Sequence, residues 1–179
     1  MILICLIQGS ITLAQLNTSG TWLKRFGFAS LLNGTIFLVM SMIALLSDLN
    51  ISRTIAGGSA GTWYVMGYLL LGIVGVVGIF LSGAAYYLFA QANAGSIFNT
   101  KLAWIHLVFM DVGAVATSLL LAWAGYGAAA MLRGGAEPGL VHVYLVQFEE
   151  PIAIFMVLAG LGALTGIVNL AATLTSRKK

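Results

Sequence analysis

The chain has 179 residues, 60% hydrophobic and 7% charged, with eight Lys and Arg against five acids and a net charge of +3. A soluble domain carries about 25% charged residues, so the mean hydropathy of +1.03 excludes one and leaves a polytopic membrane protein. The bases are scattered over separate loops, which excludes a nucleic-acid interface, and the one cysteine, Cys5, excludes an intrachain disulfide or a thiolate cluster. The expected fold is all-α: a transmembrane helical bundle with four full crossings plus a short N-terminal hydrophobic helix, in a single integral membrane domain over 1–179.

The first apolar stretch, 1–16, reaches about 24 Å as a helix, short of the ~30 Å hydrocarbon core. It has no basic region ahead of its apolar run and is not expected to be a cleaved signal. A turn is expected at Asn17–Gly20 (NTSG), followed by Lys24 and Arg25. The second segment, 26–47, carries Asn33 and Gly34 and leads into a loop holding Asn50-Ile51-Ser52, a glycosylation-type triplet, and the glycine-rich AGGSAG at 56–61. That loop lacks the lysine of a phosphate loop and reads as a flexible linker.

The third segment, 63–90, has Trp63, Tyr64 and Tyr68 at one end and Tyr86 and Tyr87 at the other, the pattern of an interfacial aromatic belt. Gly72, Gly75, Gly78 and Gly83 provide a small-residue side for helix packing. The fourth, 102–132, is a run of thirty-one residues whose only acidic or basic side chains, the phenol of Tyr126 aside, are His106 and Asp111. The fifth, 138–174, is too long for a simple crossing, and a kink is expected near Pro151, which lacks an amide donor.

Asp111 is the strongest polar candidate, because a carboxylate deep in a crossing is retained only with a partner or a function. Trp104, Leu107, Asp111 and Ser118 share one helical stripe, which predicts a polar seam against another helix. His106 lies five positions from Asp111 and points to another face. His142 and Glu149 are seven apart, so a relay at the outer mouth is one reading and polar anchoring at the interface the other. Glu150 sits beside them near that interface. His106 and His142 begin successive antiparallel helices, about 30 Å apart across the bilayer, and are not expected to share a haem. No catalytic pair or metal-ligand spacing is present.

The order of features resembles the last helices of the catalytic subunit of haem–copper oxidases, especially the nitric oxide reductase branch. The residues that carry it are Phe89-Ala90-Gln91, a short Gly- and Asn-bearing turn, Lys101 to Met110 (KLAWIHLVFM), Ala124-Gly125 and Leu132-Arg133. Ala153-Ile154-Phe155 and Ala159-Gly160 follow in the final helix, and Trp22 to Gly34 fits the preceding inner turn and helix. In that family the start of the tyrosine-rich helix bears the haem-ligating histidines. Here the corresponding stretch, Gly61 to Gly67 (GTWYVMG), contains none, and a haem iron without axial ligands has no anchor.

The resemblance therefore implies a non-catalytic membrane subunit of a multisubunit respiratory, oxidase-like complex, partnered by larger membrane subunits. A lipid or quinone site lined by its aromatics is part of that expectation. No cofactor is expected on this chain alone, and haem only together with partner subunits. Two alternatives stand beside it: a small proton-coupled transporter or channel using Asp111, and a b-type haem membrane protein. Lys24, Arg25, Lys101, Arg177, Lys178 and Lys179 against Arg53 and Arg133 predicts the cell membrane with a cytoplasmic C-terminus.

Overall fold

The computed structural model describes residues 2–46, 61–93, 97 and 99–175, with side chains in the first helix from residue 20 onward. The 47–60 loop with its Asn50 triplet, and most of the glycine-rich stretch, lie outside the described residues. Among those described, the secondary structure is helical. Helix α1 spans Ile2–Leu46, α2 spans Gly61–Ala92, α3 spans Thr100–Arg133, α4 spans Pro138–Val146 and α5 spans Glu149–Thr175. Four stretches are long and apolar enough to cross a membrane: Gly20–Leu46, Gly61–Ala92, Thr100–Arg133 and Pro138–Thr175.

The first difference from the sequence reading is at 17–20, where α1 runs on as helix instead of turning. Asn, Thr, Ser and Gly favour turns because their side chains compete for the backbone, but each is tolerated inside a helix. The short stretch 1–16 is consequently not marked off by a reversal. Its side chains lie outside the described residues.

Helix α2 is α-helical at its two ends and widened to a π-helix over Leu71–Gly78. The Ile79 amide accordingly reaches back five residues to the Val74 carbonyl. Such widening recurs at functional or closely packed positions, and here it faces α1. Asn33 Nδ2 donates to the Gly75 carbonyl at 2.7 Å, and Ser30 Oγ to the Val76 carbonyl at 2.9 Å.

Helix α3 has both ends capped by its own sequence. Asn99 Oδ1 accepts from the amides of Lys101 (2.8 Å) and Leu102 (3.3 Å), satisfying donors that a helix start leaves open. At the other end Gly135 takes φ +81°. The Ala136 amide reaches the Met131 carbonyl and the Gly135 amide the Leu132 carbonyl, the paired closure that favours glycine at this position. Pro138 then opens α4.

The long last segment breaks at 147–148, ahead of Pro151. Pro151 cannot donate to the Gln147 carbonyl, so the helix ends there and restarts with Pro151 in its first turn, where a missing donor costs nothing. Gln147 Nε2 donates to the Tyr144 carbonyl and closes α4.

The helices pack in antiparallel sequence, α1 on α2, α2 on α3 and α3 most extensively on α5. Gly113 of α3 lies against Phe155 and Ala159, Gly162 of α5 against Met110, and Gly166 against His106. Gly67 of α2 lies against the Ser118–Ala122 backbone, and Gly125 against Tyr64. With little free-energy difference between lipid and protein for an apolar side chain, such close approach supplies much of the packing energy. The outer surface stays apolar, with Leu45, Met66, Trp123 and Val157 among its exposed side chains.

Candidate functional site: polar contacts inside the bundle

Two polar clusters sit within the apolar layer. The first joins α1, α2 and α3. Asn33 is fully buried, and its Nδ2 donates to Asp111 Oδ1 at 2.7 Å as well as to the Gly75 carbonyl. Asp111 is half-buried and lines a groove between α1 and α3 that also holds Lys24, Arg25 and Trp104. One carboxylate oxygen is thus satisfied by an amide from a helix 78 positions earlier.

Ser118 departs from the expected seam. Its hydroxyl donates back to the Ala114 carbonyl of its own helix at 2.7 Å, and its backbone packs on Gly67. The stripe through Asp111 and Ser118 therefore divides. Asp111 faces the α1 side, while Ser118 is buried against α2.

The second cluster joins α2, α3 and α5 around Tyr86 and His106. Asn169 Nδ2 donates to Tyr86 Oη (3.2 Å) and to the Asn99 carbonyl (2.9 Å), and Asn169 Oδ1 accepts from the Asn99 amide (3.0 Å). Asn169 thereby ties the start of α3 to α5. Tyr86 Oη lies 3.3 Å from His106 Nδ1, and His106 Nε2 lies 3.3 Å from Met110 Sδ. Since Tyr86 Oη already accepts from Asn169, its hydrogen is available for Nδ1, which leaves the imidazole proton on Nε2 toward the sulfur. The partners are satisfied by a neutral His106 in that tautomer. Phe26 and Trp22 pack round Tyr86, with ring centroids 5.4 and 5.9 Å away.

Tyr86 and Tyr64 correct the aromatic-belt reading of α2. Both are buried, Tyr64 donating its hydroxyl to the Met40 carbonyl. A phenol carries its own hydrogen-bonding handle and enters an apolar core when a partner is waiting.

The remaining candidates do not converge. His142 is exposed on α4, and Glu149 and Glu150 are exposed in the first turn of α5. No hydrogen bond or ion pair joins His142 to Glu149 among the described residues. The break at 147–148 upsets the helical phase that a seven-residue spacing assumes. Glu149 and Glu150 are placed where a helix N-terminus favours negative charge.

His106 and His142 also stay apart. Helix α4 packs toward the far end of α3, Tyr144 lying on Gly127, and twenty-one residues of helix separate Gly127 from His106, about 30 Å. Each ring nitrogen of His106 faces a partner, Nδ1 the Tyr86 hydroxyl and Nε2 the Met110 sulfur. No group of three or more His, Cys, Asp or Glu able to hold a metal ion occurs among the described residues.

Asn33, Asn99, Tyr86 and Asn169 were not singled out as site residues from the sequence. The available signal was the amide inside two of the apolar runs, Asn33 and Asn169, since an unpaired amide in lipid is costly and calls for a partner.

Comparison with known proteins finds 30% identity over 113 residues, 62% of this chain, with cytochrome c oxidase polypeptide 1 of Halobacterium salinarum. The matched stretch is 18% of that relative, so the chain spans less than a fifth of its length. No protein-family model matches the chain, and no solved structure does. This relative supports a resemblance to haem–copper oxidases, in a chain with four helices long and apolar enough to cross a membrane.

Proposed function

We infer that the chain is a non-catalytic integral membrane subunit of a multisubunit respiratory electron-transfer complex of the oxidase type, and that alone it binds no haem. The observation that carries this reading is the 30% identity with cytochrome c oxidase polypeptide 1. Further support comes from Gly61–Gly67, which has no histidine where the resemblance calls for haem ligands, and from the closed environment of His106. Its partners are larger membrane subunits, reached through the exposed apolar faces of α1 and α5, and its C-terminus is cytoplasmic.

The test is native purification in mild detergent, with identification of co-migrating subunits and a reduced-minus-oxidised spectrum of the complex and of the isolated chain. Co-migration with haem-bearing subunits, and a featureless spectrum from the isolated chain, is the expected result. A stoichiometric b-type spectrum from the isolated chain, lost in His106→Ala, would instead make it a haem protein. Proton-driven transport by the chain alone, abolished in Asp111→Asn, would make it a transporter.

A further inference from the structure

Helices α1 and α3 meet at only a few positions, leaving a groove of about 460 Å³ open along the bundle. Its polar lining lies mostly at two ends. Lys24 and Arg25 stand at the mouth, and Asp111 closes the inner end, held there by Asn33. Between them the walls are apolar: Phe28, Leu107, Val108 and Val112. From Trp104 at the mouth to Val112 the groove follows α3 for eight residues, about 12 Å.

The mouth is built rather than incidental. The Arg25 guanidinium carbon lies 4.7 Å from the ring centroids of both Trp22 and Trp104, so the charge is held between two indoles. Neither Lys24 nor Arg25 is paired with a carboxylate among the described residues. Trp104 and Lys101 lie in the first turns of α3, which sets this end at the level where tryptophan and basic side chains meet lipid headgroups. Two unpaired cations above an apolar channel match a ligand with an anionic head and a hydrocarbon tail.

We propose that the groove between α1 and α3 binds one acidic phospholipid, its phosphate on Lys24 and Arg25 and one acyl chain along Phe28, Leu107 and Val108. This site does not depend on which complex the chain belongs to.

Native mass spectrometry of the full chain in detergent tests it, with phosphatidylglycerol and phosphatidylcholine of identical acyl chains as probes. Phosphatidylglycerol is expected to bind more tightly, and Lys24→Gln with Arg25→Gln to remove about thirtyfold of that preference, two basic contacts at a lipid surface being lost. Val108→Trp fills the channel from an exposed position and is expected to abolish binding of both lipids. Because Arg25 also holds two rings, Lys24→Gln alone is measured too, with about a fivefold loss expected. Equal affinity for the two lipids would overturn the proposal, as would phosphatidylglycerol binding unchanged by Lys24→Gln and Val108→Trp. Saturation by inorganic phosphate alone would show an anion site, displacement by a short-chain quinone a quinone site, and occlusion of the groove by a co-purifying subunit a protein interface; each counts against a lipid.

Discussion

Asn33 spends one amide nitrogen on two acceptors, the Asp111 carboxylate and the Gly75 carbonyl. Removing that donor takes a hydrogen bond from each, so Asn33→Leu is expected to destabilise the protein by about 1–3 kcal/mol. Asp111→Asn keeps an oxygen that accepts from Asn33, and should cost no more than about 1 kcal/mol. Thermal unfolding in detergent checks the order, and an Asp111→Asn loss equal to that of Asn33→Leu would contradict it. Thr117 is the converse case. Its hydroxyl is fully buried without a hydrogen-bond partner, so Thr117→Val keeps the shape and removes an unpaired polar atom. Its melting temperature is expected to stay level or rise, and a clear fall would point to a partner or bridging water at this hydroxyl.

Between elements, the α3–α5 contact depends on glycines where the backbones nearly touch. A Cβ at Gly113 would sit 2.5 Å from the Ala159 amide nitrogen and 2.7 Å from the Phe155 carbonyl oxygen. Neither atom is a side chain that can swing aside, so Gly113→Ala must push the helices apart, at a cost of about 1–3 kcal/mol. Gly160 lies on the same helix as Ala159 with nothing within 4 Å of a Cβ. There Gly160→Ala is expected to be neutral or to gain up to about 1 kcal/mol from helix propensity. Guanidinium or SDS-induced unfolding of the pair gives the comparison, and equal effects would show that the close approach at Gly113 carries no weight.

For the molecule as a whole, the orientation proposed from the distribution of basic residues puts the start of α3, with Lys24 and Arg25, inside the cell and the 134–137 turn outside. These are the two ends of α3, a helix long and apolar enough to cross a membrane. In a Cys5→Ser background, Glu137→Cys is expected to react with an impermeant maleimide on intact cells and Gln91→Cys only after permeabilisation. The reverse pattern would invert the topology, and labelling of both from outside would remove the α3 crossing.

The four apolar crossings were legible because span length and hydropathy are local properties of the chain, counted without knowing what lies beside them. The weak likeness to an oxidase polypeptide was legible for the same reason, as a linear order of residues. Rotation of each helix about its axis was not. In lipid the outward face is as apolar as the face against a neighbour, so no polarity contrast marks which side is buried. Tyr86 therefore read as an interfacial ring and proved to be the hub between Asn169 and His106. Asp111 announced itself by its charge, but its partner Asn33 lies 78 residues away and only helix packing brings the two within 2.7 Å. The reversal expected at 17–20 failed, because continuity of a helix is decided by its whole hydrogen-bond ladder rather than by four residues. For the same reason the seven-residue spacing of His142 and Glu149 did not foretell the break at 147–148.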